Sequence, residues 1–290
     1  MIPEQVSREG GSLLECPIWD AQHRRVLYLD LADPHVFAVD AATGATIKKR
    51  LPLQPPLGGL CTRAGGGYLI FNSDGAHHLN SALEITALAL PPHEDFSLAP
   101  PNDVSVAPDG QVLVMTADRL EIKPTGGLFA VERSLGWRRL CGEITVGNGP
   151  AIAPDGRSLY LADSPNGVIY AYRLQVDPLM IFDKRVFALV HKNEGYPDGL
   201  TVDAEGCVWN ARWGGSAIVR YSTAGKVLDR ISMPARYVTS CAFGDSDLGT
   251  LFITTASQSV TGSNPSCDEG GQLFRLTVSV PGTILPDAQV

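Results

Sequence analysis

The sequence predicts an all-β chain: a six-bladed β-propeller with four-stranded antiparallel blades around a central channel, forming one domain over residues 1–290. Three observations predict it. Short aliphatic, aromatic and β-branched runs alternate with tight turns, as strands and hairpins do. The runs recur at a steady interval: an apolar position after each turn falls at Leu27, Tyr68, Val112, Leu159, Val208 and Leu251, which are about 41 to 49 residues apart, the length of one blade. Neither an amphipathic helix nor a Gly/Ser linker breaks the series.

The repeats can be followed in order. The first holds Val26–Asp30 and Val36–Asp40, and the second holds Gly67–Phe71. The third runs Val104–Ala107, then the turn Pro108-Asp109-Gly110, then Val112–Met115. The fourth has Ala151–Ala153, Pro154-Asp155-Gly156, Leu159–Ala162 and Val168–Tyr172. The fifth has Leu200–Val202, Ala204-Glu205-Gly206, Cys207–Trp209 and Ala217–Tyr221. The sixth has Cys241–Phe243, Leu251–Thr254 and Gln272–Leu276. A single small sheet cannot bury both of its faces, and stacking six around an axis does so.

Composition narrows the function classes. The net charge of -8 argues against nucleic acid, whose phosphates demand clustered Lys and Arg. No apolar stretch approaches the roughly 20 residues of a membrane span. The first residues lack a basic region followed by an apolar core, so the expected compartment is the cytoplasm. Cys16, Cys61, Cys141, Cys207, Cys241 and Cys267 are far apart and contain no C-x-x-C pair, which predicts reduced, mostly buried thiols. A closed propeller protects its strand edges, so a monomer is expected.

Inner strands line the channel, so polar residues just before them should converge on its axis. Glu15, Asn148 and Asp198 hold the same relative place in blades one, four and five, and Asn102 is a fourth candidate in blade three. Taken singly, Asn148-Gly149 and Asp198-Gly199 read equally well as turn formers. The repeated placement sets them apart. Two carboxylates and an amide oxygen form a hard donor set that suits Ca²⁺, Mg²⁺, Mn²⁺ or Fe²⁺ better than a structural zinc. Three protein ligands also leave positions open for water and substrate.

With these segments in view, the chain resembles the SMP-30/gluconolactonase/regucalcin family of six-bladed propellers. The matching pieces are Leu14–Asp20, Asn102-Asp103, Asn148-Gly149-Pro150, Pro197-Asp198-Gly199, Trp209 with Trp213-Gly214-Gly215, Thr239–Gly244 and Leu251–Thr255. The resemblance implies one divalent cation, drawn from Ca²⁺, Mg²⁺, Mn²⁺, Fe²⁺ or Zn²⁺, held by Glu15, Asn148 and Asp198. It implies hydrolysis of a sugar lactone, a small-molecule substrate, with Asp198 as proton acceptor and donor and with Asn102 and Glu121 as substrate contacts. The pattern departs at Cys16, where the family usually has Gly, at Pro100, where many sugar lactonases carry Arg, and at Met115-Thr116-Ala117 in place of Gly-Thr-Met. Those changes fall on the substrate side, leaving open another hydrolase, a lyase or isomerase using the same metal, or a non-catalytic metal-binding propeller.

The remaining polar residues read otherwise. His77 and His78 are expected in a hairpin loop, and His35, His93 and His191 have no partner at ligand spacing. Arg220 alternates with apolar residues, which predicts a blade-stabilising ion pair, and Arg212 is a candidate for meeting an anionic group. Trp213 either lines the channel mouth or packs between blades. Ser164 lacks a G-x-S-x-G elbow, which argues against serine-hydrolase chemistry.

Overall fold

The period-two pattern of the strands dictates how the blades stack. In the segment Val26-Leu27-Tyr28-Leu29, alternate side chains leave opposite faces of the sheet, yet all four are buried. Val26 and Tyr28 pack with Phe252 and Leu273 of the last blade, whereas Leu27 and Leu29 pack with Leu60 and Ile70 of the second. Six apolar clusters fill the six interfaces between neighbouring blades in this way.

The structure is a computed structural model that describes residues 2–7, 9–132, 136–257 and 270–289. Strand β1 (Glu4–Gln5) precedes the first blade, which holds β2 (Leu14–Asp20), β3 (Arg25–Asp30), β4 (His35–Asp40) and β5 (Thr46–Arg50). Blade two holds β6 (Leu57–Thr62), β7 (Tyr68–Asn72), β8 (Gly75–Leu79) and β9 (Ile85–Leu90). Blade three holds β10 (Pro101–Val106), β11 (Val112–Thr116), β12 (Gly126–Val131) and β13 (Trp137–Ile144). Blade four holds β14 (Gly147–Ile152), β15 (Ser158–Asp163), β16 (Val168–Val176) and β17 (Leu179–Leu189). Blade five holds β18 (Tyr196–Val202), β19 (Val208–Trp213), β20 (Ala217–Tyr221) and β21 (Val227–Ser232). Blade six holds β22 (Tyr237–Gly244), β23 (Thr250–Ala256) and β24 (Leu273–Thr277), and β1 supplies its fourth strand.

All six sheets are antiparallel and four-stranded, as the repeat predicts. The first strand of each blade touches its neighbours in the cyclic order β2, β6, β10, β14, β18, β22 and back to β2, which closes the ring. Closure is sealed by a strand from the opposite end of the chain: Glu4 pairs with Arg275 and Gln5 with Phe274. Glu4 and Arg275 also form an ion pair at 3.1 Å. Pairing the last blade's outer strand in this way removes a free edge. Among the described residues no helix is long and apolar enough to cross a membrane.

Two expectations need correction. His77 and His78 lie within β8 rather than in a hairpin loop. His77 is buried and shares a hydrogen bond with Asn72 at 3.1 Å, so it serves the blade. The candidate site residues also lie inside the inner strands rather than ahead of them, because each inner strand begins several residues earlier than its apolar run. Five cysteines are free thiols, and Cys267 lies outside the described residues.

Candidate functional site

A shared backbone irregularity brings the candidate side chains to the axis. Every inner strand loses register with its neighbour near its start, between Glu15 and Ile18, Leu57 and Gly59, Pro101 and Asp103, Asn148 and Ala151, Pro197 and Leu200, and Val238 and Ser240. Such bulges re-aim side chains. In blades one, three, four and five the residues at or beside the bulge are Glu15, Asn102, Asn148 and Asp198. Blades two and six place Gly58 and Thr239 there, which serve packing instead. A Cβ on Gly58 would sit 2.4 Å from Pro101 Cβ, and Thr239 donates its hydroxyl to the Leu14 carbonyl at 2.6 Å, tying blade six to the residue before Glu15.

Glu15, Asn148 and Asp198 are only 6%, 4% and 6% exposed. Burial, followed by the charges of Asp198 and Asp103, pushes the Glu15 carboxyl well above the ordinary range. Asp198 is likewise driven up by burial and by Asp103, with Glu121 adding to the push. These mutual effects place Glu15, Asp103 and Asp198 in one electrostatic cluster. Asn148 Nδ2 donates to Ser164 Oγ at 2.8 Å, which orients the amide, while Asn148 Oδ1 accepts from Asn102 Nδ2 at 3.1 Å. Asn102 also donates to the Gly147 carbonyl at 3.0 Å, so it bridges blades three and four.

Asp103 is a site residue that the sequence reading did not single out. Its carboxylate accepts from Val104 N at 2.8 Å and Gly149 N at 3.0 Å, and the Cys16 thiol approaches at 3.5 Å. Burial raises it to about 7 despite those donors. The signal was present in the adjacency of Asn102 and Asp103, since neighbours at a bulge can both be useful. Cys16 adopts a left-handed backbone with φ of 52°, a conformation that a side chain tolerates poorly. Its amide donates to Glu15 Oε2 at 3.1 Å, so the strained turn helps to hold Glu15.

Glu121 is carried by the loop that follows β11. Asp118 organises that loop: its carboxylate accepts from Ile122 N at 3.0 Å, Lys123 N at 3.2 Å and Thr125 Oγ1 at 2.6 Å. Those donors, led by Thr125, hold Asp118 down at about 2. Glu121 itself is exposed, in a left-handed turn, with its charge felt by Asp198.

Among the described residues no Lys, Arg or His comes within ion-pair distance of Glu15, Asp103 or Asp198. Buried carboxylates without a counter-charge are costly, and a divalent cation relieves that cost. The donor set therefore fits such an ion. A different trio, Asp203, Glu205 and Cys207, has ligand atoms within 4.8 Å of one another. There Arg220 already supplies the positive charge, at 2.7 Å from Asp203 and 2.9 Å from Glu205, as expected of its ion-pair role. Trp213 stacks at a tilt on Tyr237, with ring centroids 4.8 Å apart.

A cavity of about 920 Å³ occupies the opposite end of the channel. Its walls come from later residues of the inner strands, such as Ile18, Leu60, Ile152 and Leu200, and from the turns beyond them. The C-terminal segment Thr283–Asp287 borders it. That segment is fastened on both sides: Ala204 N bonds Pro281 O at 2.9 Å, and Ala288 N bonds Thr62 O at 2.9 Å.

Comparison with known proteins agrees with this architecture. The model of the SMP-30/Gluconolactonase/LRE-like region matches residues 13–257. A Pseudomonas putida protein named 6-deoxy-6-sulfogluconolactonase is 30% identical over 97% of this chain and 96% of its own. A pentonolactonase of Haloferax volcanii is 34% identical over 48% of this chain and 50% of its own. The solved structure of an Agrobacterium tumefaciens protein titled a calcium-binding protein, regucalcin, superposes with a TM-score of 0.89 at 24% identity, covering 99% of this chain and 97% of that one. The chain belongs to the SMP-30/gluconolactonase/LRE-like family.

Proposed function

We propose that the protein is a divalent-metal-dependent hydrolase that opens a sugar lactone, or a similar cyclic ester, to its hydroxy acid. One observation carries the proposal: Glu15 and Asp198 are buried carboxylates in one electrostatic cluster that no cationic side chain among the described residues balances, and Asn148, buried at the matching bulge of blade four, offers an amide oxygen beside them. The lactonase names of two relatives and the calcium-binding title of the regucalcin support it.

When bound, the cation would stabilise the negative charge that grows on the lactone carbonyl oxygen. Asp198, a buried carboxylate beside the cation, is placed for general acid–base work. It takes a proton from water as the water oxygen bonds to the carbonyl carbon. It returns that proton to the ring oxygen as the ring C–O bond breaks. Asn102, held by Gly147 and Asn148, orients the substrate beside the ligands, and Glu121 contacts it from the mouth loop. The closed ring of blades, with β1 covering the last one, supports a monomer.

The test is a panel of aldonolactones assayed by acid release, with metal-free protein given Ca²⁺, Mg²⁺, Mn²⁺, Fe²⁺ or Zn²⁺ in turn. Metal-dependent turnover is expected. Metal binding without lactone turnover would favour another small-molecule reaction, a reading that Cys16 and the buried Pro100 on the substrate side support. Absence of both would leave a non-catalytic propeller.

A further inference from the structure

Blade five contains a buried cation that makes no ion pair among the described residues. Arg212 is 2% exposed, yet no carboxylate among the described residues lies within ion-pair distance of it. Its Nε has no hydrogen-bond partner among the described residues. Burial pulls its pKa below the usual arginine value, partly offset by Tyr221 and by the more distant Glu194, with Arg230 opposing. A side chain kept in this condition costs stability, and such a cost is commonly retained for function.

Its two terminal nitrogens show what it does. Nη2 donates to the Tyr221 hydroxyl, and Nη1 donates to Asn210 Oδ1 at 2.5 Å. Asn210 is fully buried. With its oxygen claimed by Arg212, its Nδ2 must face the other way. There it donates to the carbonyls of Asp198 at 2.8 Å and Gly199 at 3.2 Å. Those two residues form the bulge between Pro197 and Leu200, where β18 has no regular pairing with β19. A buried carbonyl outside the ladder needs another donor, and one amide serves both.

We propose that Asn210 and Arg212 are positioning residues: Asn210 pins the bulge that aims Asp198 into the channel, and Arg212 locks the Asn210 amide in the one orientation that can do so. The inference rests on the role of Asp198 proposed above. Neither residue reaches substrate. They act by holding a carboxylate whose misplacement by about 1 Å would cost on the order of a hundredfold in rate.

The test uses Asn210→Asp, Arg212→Met and Arg212→Lys in the full chain. Asn210→Asp keeps the acceptor for Arg212 and gives the guanidinium a carboxylate, but it removes the donor to the bulge. Both Asn210→Asp and Arg212→Met are expected to lower kcat by about ten- to a hundredfold with KM nearly unchanged. Tm should shift little in either: Asn210→Asp gives Arg212 a counter-charge but takes the donor from two bulge carbonyls, and Arg212→Met removes the uncompensated charge but takes the donor from Asn210 Oδ1 and the Tyr221 hydroxyl, so the two effects offset. Arg212→Lys should recover part of the loss. The affinity for Mn²⁺ alone, read by calorimetry, should weaken in Asn210→Asp. Wild-type kcat and Mn²⁺ affinity in both variants would overturn the proposal, as would a loss of activity that merely follows a fall in Tm. If the wild type opens no lactone, the parent reading fails and Mn²⁺ affinity alone judges the brace.

Discussion

The two ends of the channel differ in kind. One holds the buried Glu15, Asp103, Asn148 and Asp198 and the half-buried Asn102, carboxylates and amides with no balancing cation among the described residues. The other holds a cavity of about 920 Å³, bordered by inner-strand side chains such as Leu60 and Leu200 and by the C-terminal segment. Its buried acid, Asp20, is fully partnered, bonded to His23 at 2.8 Å, Arg25 at 3.1 Å and the Tyr68 hydroxyl. The cavity and the unbalanced carboxylates thus lie at opposite ends. Buried carboxyls without a counter-charge either keep their protons or meet a bound cation, and they mark the end where chemistry is proposed.

The sharpest way to break this contrast is Asp198→Asn. The substitution keeps shape and a ligand oxygen but removes the proton acceptor. A loss of about 10²–10⁴ in kcat is expected with the circular-dichroism spectrum intact. Normal turnover by this variant would move the chemistry away from this end.

Next in size is the response to metal and pH. At the charged end, Asp103 sits at about 7, and Glu15 and Asp198 are also held above the usual carboxylate range. The native metal-free protein therefore keeps protons that the unfolded chain releases. Its stability falls as pH rises from about 4, the unfolded carboxylate value, through 7. A saturating divalent cation should restore about 2.7 kcal/mol at a hundred times its Kd, and the gain should grow across that window. Asp20 behaves oppositely. Burial pushes it up, but hydrogen bonds from Tyr68, His23 and Arg25 outweigh that and hold it below its ordinary value. Its contribution is present above about pH 4 and is lost as the pH falls through the lower native value. Thermal melts from pH 4 to 8 with and without metal separate the two ends.

Tyr68→Phe tests the partnered end directly. It removes one hydroxyl from the Asp20 network and should cost about 1 kcal/mol in Tm-derived stability. Because Tyr68 borders the large cavity and not the charged cluster, kcat and KM should not change. A change in either would show that the cavity takes part in turnover.

Much of this was legible in the sequence, and unevenly so. The blades could be counted because strands buried on both faces leave long apolar runs, as at Val26–Leu29 and Leu159–Ala162. Glu15, Asn148 and Asp198 could be aligned because the same bulge recurs at the same place in each repeat. Strand β1 could not be read, since two exposed residues carry no periodicity and their partner lies at the far end of the chain. Strand β6 was hidden by Gly58-Gly59, which lack the side chains that signal a strand but permit close approach to Pro101 and Val104. Asn210 was out of reach, and Arg212 was read as a partner for an anionic group, whereas it is buried against Asn210 and Tyr221. Their roles depend on a cross-strand bond to a bulge and not on any spacing along the chain.

The smallest expected effect comes from the acidic trio that resembles a metal site by distance alone. Asp203, Glu205 and Cys207 cluster as closely as ligands do, but Asp203 is already saturated by Cys207 N and Glu205 N, each at 3.0 Å, Trp209 Nε1 at 2.9 Å and Arg220 Nε at 2.8 Å. The remaining acid, Glu205, is 63% exposed, so its ion pair with Arg220 is screened by water. Glu205→Gln should leave the affinity for Mn²⁺ unchanged and shift stability by less than about 0.5 kcal/mol. A fall in metal affinity would place an ion at this turn, against its counter-charge. An unchanged affinity, set beside a large loss in Asp198→Asn, would show that closeness of acidic groups does not make a metal site where a cation already balances them.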